Sequence, residues 1–195
     1  MKQPSRSQKA RKAFTAKLIA GIGGFAAAAL SLGLSLYQAR TAGEIATVAP
    51  GTSVDSGQWN VTLYSARVSS EMPDGSRIPD GKQALVVEAA LENITEESSN
   101  LYRRTIRPDL ADTPEPQFYL MRDRGTLWDL QPLMPEKIAV VWQVPASQKL
   151  PDRLSLTIAG TTYKAKDNLY AAPGWFPASD VAKVELPLSL QGAAQ

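Results

Sequence analysis

The sequence predicts an all-β chain, an antiparallel β-sandwich preceded by a single N-terminal transmembrane helix. Three observations predict it. Residues 18–36 form an uncharged apolar run behind a wholly basic tail. From about residue 57 onward, short apolar runs of period two alternate with turn-forming residues. No segment between those runs reads as a long amphipathic helix, which argues against a βαβ sheet.

The tail, residues 1–17, carries Lys2, Arg6, Lys9, Arg11, Lys12 and Lys17 and no acid. The apolar run behind it, LIAGIGGFAAAALSLGLSL, spans roughly 28 Å as a helix, close to the ~30 Å hydrocarbon core of a bilayer. Leu18, Ile19, Ile22, Phe25, Leu30, Leu32, Leu34 and Leu36 supply roughly −2 to −5 kcal/mol of insertion free energy, before Gly and Ser subtract from it. Six basic residues precede the run and only Arg40 follows closely. The positive-inside rule therefore keeps the N-terminus in the cytoplasm and exports everything beyond about residue 40. The expected location is the inner (cytoplasmic) membrane, single-pass, with a periplasmic or extracellular C-terminal domain.

A cleaved signal peptide is the rival reading, but no clean A-x-A site follows the apolar run. Tyr37-Gln38-Ala39 places a bulky residue at −3, and Thr47-Val48-Ala49 runs into Pro50. Arg11-Lys12 lacks the second arginine of a twin-arginine signal. Ala20, Gly24 and Ala28 recur at the four-residue spacing of helix-packing faces, which any Ala/Gly-rich anchor also shows by chance.

The expected organisation is a basic cytoplasmic tail (1–17), a signal anchor (18–37), a linker (38–56), a sandwich (57–170) and a C-terminal tail (171–195). Within the sandwich, Leu85, Val87, Ala89 and Leu91 fall on one face of a strand while Glu88 and Glu92 fall on the other. Ile138, Val140, Trp142 and Val144 repeat the pattern, and Leu154, Leu156 and Ile158 alternate with Ser155 and Thr157. Phe118–Arg122 and Thr126–Leu130 flank Asp123-Arg124-Gly125 as a hairpin. Trp59–Val68 reads as a strand, and Leu101–Ile106 as a further one. Asp74-Gly75 and Asp80-Gly81 bracket a polar surface excursion, and Pro187 demotes the alternation of Ala182, Val184, Leu186, Leu188 and Leu190 to an edge or extended coil.

These residues carry a resemblance. A strand ends in Leu91-Glu92-Asn93-Ile94-Thr95; Phe118–Gly125, Leu133-Met134-Pro135-Glu136 and Trp142-Gln143-Val144-Pro145 follow in order. This order resembles the bacterial envelope domains of unknown function that include secreted immunoprotective antigens. Their pattern is N-x-(S/T) after a long central strand, an x-D-x-x-G hairpin, and an L-x-P-G turn into an F-x-V-P strand. Glu136 stands here for the usual glycine and Trp142 for the usual phenylalanine, over about residues 57–146. The resemblance implies an immunoglobulin-like sandwich, exported and without established catalysis. It transfers no functional residue.

The inventory excludes much chemistry. With no cysteine and no histidine there is no disulfide, thiolate nucleophile, Ser-His-Asp triad or Cys/His metal site. Glu88 and Glu92 could pass for paired carboxylates, but a glycosidase needs them across a cleft, not side by side facing solvent. Asp74, Asp80, Glu96, Glu97, Asp109 and Asp112 match no calcium-loop spacing and suit turns instead. Neither a nucleophile elbow nor S-x-x-K is present, so a His/Cys-independent hydrolase is the minor alternative. No cofactor is expected.

Two contact candidates remain. Arg103, Arg104 and Arg107 form a basic strip that grips an acidic partner or merely protects an edge strand. Trp175 and Phe176 form an aromatic pair that anchors an interface or plugs one end of the sandwich. Trp59, Trp128 and Trp142 are expected in the core, and Asn60-Val61-Thr62 and Asn93-Ile94-Thr95 match the glycosylation triplet. The expected function is non-catalytic binding or assembly in a bacterial cell envelope, with the bilayer as one partner and an envelope protein or polymer as another. Nucleic acid is disfavoured by compartment. The alternative is a structural subunit docking through its transmembrane helix.

The net charge of +2 divides accordingly. Residues 1–40 hold seven basic groups and no acid, and the remainder holds fourteen basic and nineteen acidic, a mildly acidic exported domain at −5.

Overall fold

The computed structural model describes residues 30–33, 45–167 and 171–190. Most of the expected anchor, residues 18–29 and 34–37, lies outside the described residues, as does the basic tail. Leu30 and Leu32 sit on a helical turn with exposed side chains, and among the described residues no helix is long and apolar enough to cross a membrane.

Residues 45–195 form a compact unit of their own. Its strands are β1 (Thr47–Val48), β2 (Ser53–Asp55), β3 (Trp59–Ser69), β4 (Lys82–Asn93), β5 (Ile106–Pro108), β6 (Gln117–Leu120), β7 (Glu136–Pro145), β8 (Arg153–Lys164) and β9 (Gly174–Leu190). Hydrogen bonding runs in the order β5-β8-β9-β3-β4-β7-β6, with β1 added to β9 and β2 to β3. The path folds into two layers, β5, β8, β9 and β1 against β6, β7, β4, β3 and β2. Between them lies one apolar core that takes Trp59, Leu63, Leu85, Leu91 and Trp142 from one layer and Ile106, Leu156, Ile158, Val184 and Leu186 from the other. The chain is a β-sandwich.

Period-two alternation explains most of this. Leu85, Val87, Ala89 and Leu91 are buried, as are Ile138, Val140, Trp142 and Val144, and β3, β4 and β7 pair antiparallel over their length. The acids on the outer face are half-buried and engaged: Glu88 pairs with Arg67, and Glu92 accepts from Asn60 Nδ2 at 2.9 Å. They act as cross-strand partners, which is the solvated-face reading of Glu88 and Glu92 with specific neighbours supplied.

Four features depart from the expectations. The pairing is not wholly antiparallel, because β1 and the end of β9 run parallel to their neighbours on β9 and β3. The alternating segment around Pro187 is not an edge or coil but part of β9, a 17-residue strand. Pro187 sits opposite Arg153, where the β8 ladder ends, and from Leu188 onward β9 pairs with β3, so the missing N–H falls at the change of partner. The 70–81 excursion is not simply polar surface. It lays Met72 and Ile78 on the outer face of the second layer, against Ala84, Val86, Tyr119, Ala139 and Val141, so β4 and β7 are buried on both sides there. Finally, Leu101–Arg104 is a 3-10 turn and only Ile106–Pro108 is strand, because Tyr102 points inward as a plug between Trp59 and Phe118.

The residues read as a linker supply β1 and β2, and those read as a tail supply β9. Trp59 and Trp142 are buried as expected, but Trp128 is 73% exposed. It lies on the irregular arm after β6, where Leu127 and Leu130 turn inward and Trp128 between them turns out.

Candidate functional site

The end of the sandwich where β3 begins and β4 ends is built from three short stretches sewn together by hydrogen bonds. The first is the turn of residues 56–58 leading into β3. Thr161 of β8 binds it three times: the Thr161 N–H and hydroxyl donate to Ser56 O at 2.6 and 2.9 Å, and the Gln58 N–H donates to Thr161 Oγ1 at 2.9 Å. This approach needs glycine at position 57, which has φ +97° and whose Cβ, if present, would stand 2.0 Å from Thr161 O. Gly160 is needed for the same reason, its Cβ direction being blocked by Ser179 O of β9 at 2.4 Å.

The second stretch is the loop after β4. Asn93 is fully buried and organises it: Nδ2 donates to Glu97 O (2.7 Å) and Leu130 O (3.0 Å), while Oδ1 accepts from Thr95 N (3.1 Å) and Thr95 Oγ1 (2.7 Å). The Asn93-Ile94-Thr95 triplet is thus a side-chain-closed turn. Its amide nitrogen is committed inward, as is that of Asn60 to Glu92, and both triplets read as structural.

The third is the 3-10 turn. The Tyr102 hydroxyl reaches the carbonyls of Leu127 and Trp128 at 2.8 and 2.6 Å, and the Ala159 N–H donates to Thr105 O at 2.9 Å. Burial pushes the Tyr102 phenol up to about 12, with the nearby Arg103 opposing and Asp129 adding to the rise. With Tyr102 anchored inward, Arg103 and Arg104 are carried outward on the same turn and are exposed.

Opposite this turn, β9 begins. Trp175 pairs across the hairpin with Tyr163 (ring centroids 5.5 Å apart) and Phe176 pairs with Thr162, with Lys164 Nζ 4.8 Å from the Phe176 ring centroid. Between the two walls lies a cleft of about 410 Å³. Arg103, Arg104 and Leu101 line one wall, Trp175, Phe176 and Pro177 the other, and Gln58, Thr105 and the β8 backbone from Ala159 to Thr161 the floor.

The structure therefore brings together two candidate groups that lie some seventy residues apart in sequence, Arg103/Arg104 and Trp175/Phe176. The third arginine lies outside this cleft, although Arg103, Arg104 and Arg107 together line a second hollow on the other side of the turn. Arg107 is on β5, ion-paired with Asp180 of β9, and is not part of the cleft. The strand expected over Leu101–Ile106 does not carry Arg103 and Arg104, because Leu101–Arg104 is a 3-10 turn. Gln58 and Leu101 were not singled out by sequence. The only local signal for Gln58 is the tight Asp55-Ser56-Gly57 turn before it, closed by Gly57 N–H donating to Asp55 Oδ1 at 2.8 Å.

Chemically the cleft offers cations, aromatic faces and apolar surface. Its lining holds no carboxylate and no lysine. Among the described residues, no three potential metal-ligating side chains cluster anywhere.

No family model matches the chain, and no curated protein matches it. Among solved structures it is similar to an uncharacterized β-sandwich protein from Clostridium difficile 630, with 12% identity and a TM-score of 0.48, over 73% of this chain and 94% of that one.

Proposed function

We propose that this protein is a membrane-anchored, extracytoplasmic immunoglobulin-like module of the bacterial cell envelope that binds or assembles without catalysis, and that its contact site is the cleft between Arg103/Arg104 and Trp175/Phe176. One observation supports this most: guanidinium groups and large aromatics, the side chains that dominate binding hot spots, converge on one concave end of the sandwich. A lining without acid, lysine, histidine or cysteine favours holding a partner over breaking a bond. The anchor and the envelope location rest on the apolar run 18–36, the basic tail before it, and the resemblance to envelope domains.

Two experiments test this. Affinity capture of the full chain from native membranes should yield a partner that both Trp175→Ala/Phe176→Ala and Arg103→Ala/Arg104→Ala lose, with unchanged thermal unfolding. A partner kept by both variants would show that the cleft is not the contact. Orientation is readable because the chain has no cysteine of its own. A cysteine at exposed Ser147 should react with a membrane-impermeant maleimide in intact spheroplasts and one at Ser5 should not; the reverse pattern would overturn the topology.

A further inference from the structure

The occupant of the cleft can be narrowed by charge and size. Four arginines of the sandwich are ion-paired: Arg67 with Glu88, Arg107 with Asp180, Arg122 with Glu136 and Asp123, and Arg153 with Glu185. Arg103 and Arg104, like Arg77 and Arg124, form no ion pair with any described residue, but only Arg103 and Arg104 line the cleft. Two adjacent guanidinium forks thus border a cleft whose lining contains no carboxylate. A second hollow on the far side of the same turn is also lined by Arg103 and Arg104, together with Arg107, but it contains the carboxylate of Glu115 and its Arg107 is already paired with Asp180, whereas the aromatic side holds no acid.

Two further features fit a ligand there. Gln58 is only 2% exposed, its Nε2 donates to Ser99 Oγ at 2.9 Å, and its Oε1 has no hydrogen-bond donor among the described residues. This acceptor needs a donor, a water or a ligand O–H or N–H, and so does not itself contact an anionic head group. The volume of about 410 Å³ falls in the range of sites for small molecules.

We propose that the cleft binds a small amphiphilic anion, with a flat apolar body against Trp175, Phe176 and Leu101 and a carboxylate or phosphate held by the guanidinium groups of Arg103 and Arg104. Planar guanidinium forks match both head groups in bidentate fashion, and the ring faces favour a flat body. The assignment rests on the cleft being the contact site proposed above, and it names the chemistry that site selects.

The test uses the full chain in phosphatidylcholine nanodiscs and ligand-observed saturation-transfer NMR, with empty nanodiscs subtracted. The probes are 2-naphthoate and 2-naphthyl phosphate, each compared with neutral 2-naphthamide. At least one anion should bind about tenfold or more tightly than the amide, the scale of a charge-assisted pair. Arg103→Ala/Arg104→Ala should erase that preference, the double lysine variant should keep part of it, and Trp175→Ala/Phe176→Ala should weaken all three probes. All variants change surface or half-buried residues, and their melting temperatures confirm folding.

Equal binding of anions and amide, or a preference that survives loss of both arginines, would overturn the proposal. If the preference is absent while the captured partner still depends on the four residues, the ligand class is wrong and the site stands. If both are absent, the site falls with it. Repeating the titration with phosphatidylglycerol in the nanodisc identifies the source of a supported anion: suppressed naphthoate binding means a lipid head group competes, and unchanged binding means a soluble ligand.

Discussion

Asn93 is the residue on which the cleft's outer loop depends, and its replacement gives the sharpest prediction about the fold. Asn93→Ala removes four hydrogen bonds at a fully buried position: two donated to Glu97 O and Leu130 O, two accepted from Thr95. Leu130 O keeps the Ser99 N–H at 3.1 Å and Glu97 O keeps the Thr95 hydroxyl at 3.1 Å, so neither carbonyl is stranded. At about 0.5–1.5 kcal/mol for each bond, the loss is roughly 2–6 kcal/mol, or about 4–24 °C in melting temperature for a domain of this size. Asn93→Asp separates the donor role from shape. It keeps the two accepted bonds but points a carboxylate oxygen at two carbonyls inside the protein, which costs more than the cavity left by alanine. Urea unfolding of the full chain, followed by tryptophan fluorescence, should rank the variants wild type, then Ala, then Asp. A loss under about 1 kcal/mol for Ala, or an Asp variant more stable than Ala, would refute the role given to the Asn93 amide nitrogen.

Other predictions address the floor, the outer face and the plug. Gly57→Ala should lose at least about 2 kcal/mol, since φ +97° is combined with a 2.0 Å approach of Cβ to a backbone oxygen. Gly51→Ala, at φ +81° with nothing within 4 Å, should lose only about 1 kcal/mol; equal losses would show that the Thr161 contact is unimportant. Ile78→Ala should cost about 2 kcal/mol and speed protease cleavage within residues 70–81, because Ile78 and Met72 hold that segment to the sheet; unchanged cleavage would contradict the packing. The Tyr102 phenol is raised to about 12 in the folded protein from its ordinary value near 10. The folded state thus holds the proton more tightly, and this contribution is complete below pH 10 and is lost as pH rises towards 12. Tyr102→Phe should flatten that alkaline slope while costing about 1 kcal/mol from the lost hydroxyl bonds at neutral pH. An identical alkaline profile would place the titration elsewhere.

The central strands were legible because only one spacing puts Leu85, Val87, Ala89 and Leu91, or Ile138 through Val144, on one side of a strand. Two-sided burial was present in the unbroken apolar Ala84-Leu85-Val86-Val87, but its cover, Met72 and Ile78, lies in a segment whose Pro, Gly and Asp content reads as surface. The length of β9 was hidden by Pro187, which is harmless only because the strand changes neighbours there, a fact of topology absent from local sequence. Arginine and aromatic candidates were visible separately as residue types. Their meeting was not, since it depends on Tyr102 turning a would-be strand into a 3-10 turn and on β9 returning beside β8. Trp128 shows the opposite failure: alternation breaks down on an irregular arm, and a large aromatic placed in the core by sequence is exposed.

The most direct measurement of the central assignment is site-specific photo-crosslinking of the full chain in native membranes. A benzophenone amino acid would replace Asn100, Pro177 or, at the opposite end of the sandwich, Gln148. Asn100 and Pro177 line the cleft without being its proposed contact groups, while Gln148 contacts Gln83 far from it. If this cleft is one binding site, positions 100 and 177 give the same crosslinked species and position 148 does not. Different species at 100 and 177, or the same species at all three, would contradict it.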